Sequence, residues 1–216
     1  MKRIYILCEG QTEERFVKQV LVPFLWESGL NLIPIIITTS RTATTKHRGG
    51  VSNYDKIRKE LAMLSTSHPN EFVTTMLDYY ALPEDTPGIH TNVTNVYQRI
   101  AFIESEIDRD LGLRNCFVNL MLHEFEGLLF ADPSKFGLVA SAEAVESIRQ
   151  VRDAFETPEH INRTQDTAPS KRLKTIIPSY AKVTDGILVA ERIGMQRILD
   201  ECKHFAAWVA KIKSLA

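Results

Sequence analysis

Cysteine is scarce in this sequence. Cys8, Cys116 and Cys202 stand far apart, with no Cys-x-x-Cys pair and no Cys/His cluster. An odd, sparse count argues against a disulfide framework and for a reducing compartment. It also argues against a thiolate zinc site. Long apolar runs are absent as well. Nothing approaches the roughly 20 apolar residues that a membrane-spanning helix needs. The run Ile4 to Cys8 follows Lys2-Arg3 and is cut off by Glu9-Gly10, too soon for a signal peptide. These absences predict a soluble, cytoplasmic protein with no membrane partner. Charge of either sign is not in excess: 26 basic residues face 27 acidic ones, a formal net charge of −1. A global basic excess, the usual footprint of a nucleic-acid binder, is therefore missing, although a local patch is enough for one. No P-loop and no Ser-His-Asp signature occurs, which argues against an NTPase and an acyl hydrolase. Internal repeats and low-complexity tracts are also lacking.

What is present is an ordinary globular composition, 44% hydrophobic and 25% charged, in a chain long enough to bury a substantial core. Ile4 to Cys8 predicts a buried first strand. Gly10-Gln11-Thr12 breaks it. Thr12 then supplies a hydroxyl cap and Glu13-Glu14 put acids in a first helical turn. Phe16, Val17, Val20, Leu21 and Phe24 keep helical spacing, so a helix is expected from about Glu13 to Trp26. A second strand is expected over Leu32 to Thr38, at an edge or with a bulge because of Pro34. A polar loop covers Thr39 to Ser52. Tyr54 to Leu64 predicts a helix, Phe72 to Leu77 a third strand and Val96 to Leu111 an acid-rich helix. Cys116 to Leu122 predicts a fourth strand, followed by a short helix through Phe130. Beyond Asp132-Pro133 the pattern becomes helical, over Val139 to Phe155 and Ile187 to Leu215. This order predicts an α/β fold: a parallel-rich central sheet with helices on both faces and a mainly helical C-terminal extension. We place the α/β core at residues 1–132 and the extension at 133–216, packed together as one unit.

Open α/β sheets bind ligands at the carboxyl ends of their strands. Acids fall at those ends three times: Glu9 after the first strand, Asp78 after the third and Glu124 after the fourth. A lone acid after a strand is more often a cap or a solvated loop residue. Three on one edge of a parallel sheet are a different matter. Clustered carboxylates repel one another unless a cation neutralises them. Mg²⁺ or Mn²⁺ suits such oxygen donors, and such ions stabilise the oxygens of phosphodiester cleavage. Glu13 lies one helical turn beyond Glu9 and faces the same way. Of Glu124 and Glu126, two apart where the chain turns into helix, Glu124 is expected to reach the site and Glu126 to diverge from it. Gly10 lets a phosphate approach the helix start.

Cys8-Glu9-Gly10-Gln11-Thr12-Glu13, set before an amphipathic helix, resembles the opening of Toprim-fold proteins, closest to the OLD-type nucleases and to the DUF4276 family. The DUF4276 resemblance extends over most of the chain. It includes Leu77-Asp78-Tyr79-Tyr80-Ala81-Leu82-Pro83, His123-Glu124-Phe125-Glu126-Gly127-Leu128-Leu129-Phe130 and Pro169-Ser170-Lys171-Arg172-Leu173. The resemblance implies a Toprim-like sheet in which Glu9 and Asp78 hold divalent metal. Toprim enzymes carry Asp-x-Asp after the third strand, and Tyr80 stands here in place of the second aspartate. That departure leaves Glu13, Glu124 or Glu126 to supply the missing oxygen. The resemblance also implies a role beside ABC-type ATPases in phage defence.

Further candidates are basic. Lys171 and Arg172, with Lys174, are suited to hold a backbone phosphate or transition-state charge, and either is placed to neutralise the acids. Arg41, Lys46 and Arg48, with His47, are suited to follow a nucleic-acid backbone. His123 is a candidate base or ligand, although a packed core histidine is the commoner case. Tyr79 and Tyr80 are candidates for stacking on bases. Two functions follow. One is a metal-dependent nuclease acting on DNA or RNA through Glu9, Glu13, Asp78, Glu124 and Lys171. The other is a non-catalytic module that binds a partner ATPase or nucleic acid.

Overall fold

The computed structural model describes residues 1–37, 53–162 and 167–216. Its centre is a parallel sheet built from β1 (Lys2–Cys8), β2 (Leu30–Ile36), β3 (Phe72–Asp78), β4 (Cys116–Phe117) and β5 (Leu120–Met121). The strand order is β2-β1-β3-β4, and β5 also pairs with β3. β1 thus lies between β2, with Lys2 opposite Leu30, and β3, with Ile4 opposite Phe72. Pro34 sits in β2 at the sheet edge, where its missing N–H costs no ladder bond.

Alternation along β1 divides its side chains between two apolar layers. Ile4, Ile6 and Cys8 belong to one, with Phe16, Phe125, Ile187, Phe205 and Trp208. Tyr5 and Leu7 belong to the other, with Ile57, Leu61, Ile100 and Ile103. Helices therefore cover both faces. The second layer is closed by α3 (Tyr54–Ser67) and α4 (Val96–Leu111), capped by the Asn53 and Asn95 side chains. The first layer takes the helix after β1 and most of the C-terminal helices.

The helix after β1 begins one residue before Thr12, which is buried inside it and caps nothing. It runs as α1 (Gln11–Phe16), a wide π turn (Val17–Leu21) and α2 (Val22–Leu25). The π turn has a local cause. Pro23 lacks an N–H and its ring crowds the carbonyl four residues back, so the preceding turn widens. The fourth strand is shorter than its apolar run. β4 and β5 are separated at Val118-Asn119, and the Thr75 hydroxyl spans the gap. Its Oγ1 donates to the Asn119 carbonyl at 2.6 Å and accepts the Asn119 N–H at 2.9 Å.

After a 3₁₀ segment at Phe125–Ala131 and another at Pro133–Leu138, the chain is helical. α5 (Ala142–Asp153) and α6 (Pro169–Ile176) are followed by α7 (Asp185–Ile193), α8 (Met195–Glu201) and α9 (Lys203–Lys213). The last three replace the single helix expected over Ile187 to Leu215. The first break is at Gly194, whose φ of +80° favours glycine. The second is at Cys202, where the first amides of α9 are taken by Glu159. Among the described residues no helix is long and apolar enough to cross a membrane.

Candidate functional site

β1 and β3 are neighbouring parallel strands, so Glu9 and Asp78 emerge side by side at one sheet edge. Backbone amides fix their side chains. The Asp78 N–H donates to Glu9 Oε2 at 3.3 Å, and the Phe125 N–H donates to Asp78 Oδ1 at 3.1 Å. Three chain segments are tied in series: the end of β1, the end of β3 and the turn after β5. α1 adds Glu13, which is buried.

The turn after β5 adds two more acids. His123, at φ +70°, is the one non-glycine residue in the left-handed region among those described. This strained backbone reverses the chain at the strand end and starts the 3₁₀ segment from Phe125. Glu126 is carried inward and is completely buried. Glu124 is half-buried and accepts the Ser170 N–H at 3.0 Å, close to the start of α6. The expectation that only Glu124 would face the site is therefore corrected in part. Glu126 joins Glu13 and Asp78, while Glu124 sits beside them with one oxygen engaged by α6.

The cation at the centre of these acids is Lys182. Its Nζ lies 3.2 Å from Glu126 Oε2, 3.5 Å from Glu13 Oε1 and 3.8 Å from Asp78 Oδ2. Lys182 comes from the turn between α6 and α7, and its side chain is 34% exposed. Lys171 and Arg172, expected in this role, are elsewhere. Lys171 lies on the exposed face of α6. Arg172 places its guanidinium over the Phe155 ring and donates to the Thr167 carbonyl. The helix faces explain this: α6 turns Leu173 into the core, which directs Lys171 outward. Arg41, Lys46 and Arg48 lie outside the described residues.

Burial and crowding perturb these groups strongly. Glu9 is pushed up to about 7, first by burial and then by the Glu13 carboxylate. Glu126 is likewise pushed up to about 7 by burial. Burial holds Asp78 well above the usual carboxylate range against the pull of Lys182, and Glu9 and Glu13 add to the rise. For Lys182, burial works to lower the value, but Glu126, Asp78 and Glu13 outweigh it and hold the ammonium above its ordinary range. Burial lowers His123 to about 4, so its imidazole is neutral at pH 7.

The buried polar atoms here without a hydrogen-bond partner are the Tyr180 hydroxyl and His123 Nδ1, while Glu13 Oε1 and Glu126 Oε2 have the Lys182 ammonium at 3.5 and 3.2 Å. Such orphans are rare in folded proteins and call for a guest or a function. Beside Glu9 and Asp78 a mostly apolar void of about 10 Å³, lined also by Ile57, Leu77, Ala81 and Leu82, is the size of a single water-sized particle. Tyr80 covers one side of the turn, with its ring stacked on His123 at 5.0 Å and on Tyr79 at 5.7 Å. Among the described residues no three His, Cys, Asp or Glu side chains are disposed to hold a metal ion as they stand. The donors are nonetheless all hard oxygens, which suit Mg²⁺ or Mn²⁺.

Fold and site together define a parallel α/β protein with a carboxylate cluster closed around one lysine at the strand ends. The chain belongs to the family described as "Domain of unknown function (DUF4276)", whose model it matches over residues 8–213. No curated protein matches it. Among solved structures it is similar to the C-terminal region of the Xanthomonas campestris pv. campestris OLD protein, phased with platinum. The identity is 16% and the TM-score 0.32, over 97% of this chain and 94% of that one.

Proposed function

We propose that this protein is a divalent-metal-dependent nuclease that cleaves phosphodiester bonds of DNA or RNA. One observation carries the reading: Glu13, Asp78 and Glu126 gather about a single cation, with Glu9 hydrogen-bonded into the same edge. So many carboxylates in one buried place are unfavourable for a scaffold, because each raises the others' cost of ionisation. They are favourable where cations must be held. Glu9, Glu13, Asp78 and Glu126, with Glu124 beside them, would hold Mg²⁺ or Mn²⁺. When bound, such an ion supplies charge stabilisation to the oxygens of a phosphodiester. Glu9 and Asp78 issue from strands held by the sheet, which gives the rigidity that a ligand position needs. The Toprim-like opening Glu9-Gly10-Gln11-Thr12-Glu13 supports the same reading. So does the family resemblance that suggests an ABC-type ATPase partner in phage defence, and the sparse cysteines suit a cytoplasmic location. Lys182 replaces Lys171 as the candidate for contact with the phosphate charge.

The test is a cleavage assay on panels of DNA and tRNA with Mg²⁺ or Mn²⁺, with and without candidate ATPase partners. Glu9→Gln keeps the size of the side chain and removes its charge. It should lower divalent-dependent cleavage by roughly 100-fold or more, because even outer-shell changes at metal sites cost 10–100-fold. Its circular dichroism and melting curve should stay those of a folded protein. Full activity in Glu9→Gln would end the nuclease reading.

One feature favours a second reading. Tyr80 stands two residues after Asp78 and is packed on His123 rather than offering an oxygen to the acids. This fits a non-catalytic module that binds a partner ATPase or nucleic acid. Binding to either, unaffected by Glu9→Gln and without cleavage under any metal, would select that reading.

A further inference from the structure

Lys182 is the one cation in contact with Glu13, Asp78 and Glu126 among the described residues, and it touches all three at once. Here Glu126 is fully buried, and its partners are the Lys182 ammonium at 3.2 Å and its own amide. The Tyr180 hydroxyl is buried and unpartnered, in the electrostatic field of Glu126 and Lys182. The ammonium is thus shared among three acids at 3.2, 3.5 and 3.8 Å, longer than the roughly 2.7–2.9 Å of a tight charge-assisted bond. Lys182 itself is on a turn, with a third of its side chain open to solvent. A four-carbon stem on such a segment swings without disturbing the sheet.

We infer that the Lys182 ammonium is a displaceable stand-in for the divalent cation: it neutralises the acids in the metal-free protein and swings out when the cation enters. The inference rests on the metal-dependent reading above and concerns how that site is kept stable and gated. An ammonium carries one charge where a divalent ion carries two, and it lacks the ion's several coordination positions. It can therefore be outcompeted, while costing the incoming ion part of its binding free energy. Once displaced, Lys182 remains beside the acids, at the distance of its own side chain, available to an anionic substrate group.

The experiment is Mn²⁺ binding to the full chain, measured from the loss of the free-ion resonance by electron paramagnetic resonance. Removing the competing charge in Lys182→Met should tighten Mn²⁺ binding roughly tenfold, as expected when one nearby like charge is lost. Lys211→Met, which removes a charge far from the acids in sequence and outside the cluster, should bind as the wild type does. In the wild type, ¹³Cε-labelled lysine should show one resonance, absent from Lys182→Met, that moves on Mg²⁺ addition. Equal or weaker Mn²⁺ binding in Lys182→Met, beside measurable wild-type binding, overturns the stand-in role and leaves the metal reading in place. No Mn²⁺ binding by either protein overturns both. Should Lys182→Met fail to fold, Lys182→Gln and the labelled wild type carry the same comparison. A Lys182 resonance unmoved by a saturating divalent ion overturns the inference.

Discussion

Two glutamates of this protein are almost equally hidden from water, and they are hidden in opposite ways. Glu159 is 4% exposed and Glu126 is 0% exposed. Glu159 accepts the N–H groups of His204 and Phe205 at 3.0 and 2.9 Å and the Tyr97 hydroxyl at 3.1 Å. It reaches across 45 residues to cap α9, whose first amides have no partner inside the helix. It also places negative charge at the positive end of the helix dipole. Glu126 draws no amide from another segment: it has its own amide and the Lys182 ammonium at 3.2 Å. A carboxylate surrounded by N–H and O–H groups is part of the scaffold. A carboxylate buried short of donors keeps an unspent capacity for positive charge, which a scaffold has no use for.

The largest test of that contrast is Glu159→Ala. It strips two helix amides and a phenol of their acceptor and should destabilise the fold by about 4 kcal/mol. The melting temperature should fall by roughly 10 °C. A loss under about 1 kcal/mol would show that the cap is dispensable and would erase the contrast.

Glu126→Gln should behave in the opposite sense, and its effect should depend on pH. Folding raises the proton affinity of Glu9 and Glu126 from an ordinary 4.5 to about 7. The folded state then holds more protons than the unfolded state across that window. Stability from these groups is complete below about pH 4.5 and is lost as pH rises through about 7. Melting curves from pH 5 to 8 should show wild-type stability declining, and Glu126→Gln declining less. At pH 8 the variant should match or exceed the wild type by roughly 1 kcal/mol. A variant that is less stable than the wild type at pH 8 would place Glu126 with Glu159 in the scaffold.

Tyr97→Phe is the mildest change. It removes one of three donors to Glu159, together with the phenol's 3.1 Å contact with the Thr157 hydroxyl, and leaves both amides in place. A loss of about 1 kcal/mol is expected, read as a small shift of the denaturation midpoint. A larger loss would make the phenol, and not the helix amides, the main partner of Glu159.

Much of the frame was legible in the sequence because its signals are local. Apolar runs marked β1 and β3, and helical spacing marked α4 over the residues at which it occurs, Val96–Leu111. The acids at strand ends followed from counting to the end of each run. Lys182 was not legible. It lies in a turn without periodic pattern, and only the fold brings it across to acids more than 50 residues away. Of the two acids after the fourth strand, spacing favours Glu124 over Glu126, because two residues on a helix point apart. The left-handed turn at His123 defeats that argument, and such a turn is uncommon at any residue but glycine. The separation of β4 from β5 was hidden for a related reason. The Thr75 hydroxyl that bridges it belongs to another strand.

The series of amide bonds at the sheet edge has one more consequence. The Asp78 N–H is held by Glu9, and the Phe125 N–H is held by Asp78. A visitor that draws either carboxylate toward itself pulls on an amide of the neighbouring segment. These two protons therefore act as a gauge wired to the acids. Their exchange with solvent and their nitrogen frequencies should register occupancy at the strand ends before any substrate is known, and the order in which they respond should tell which acid moves first.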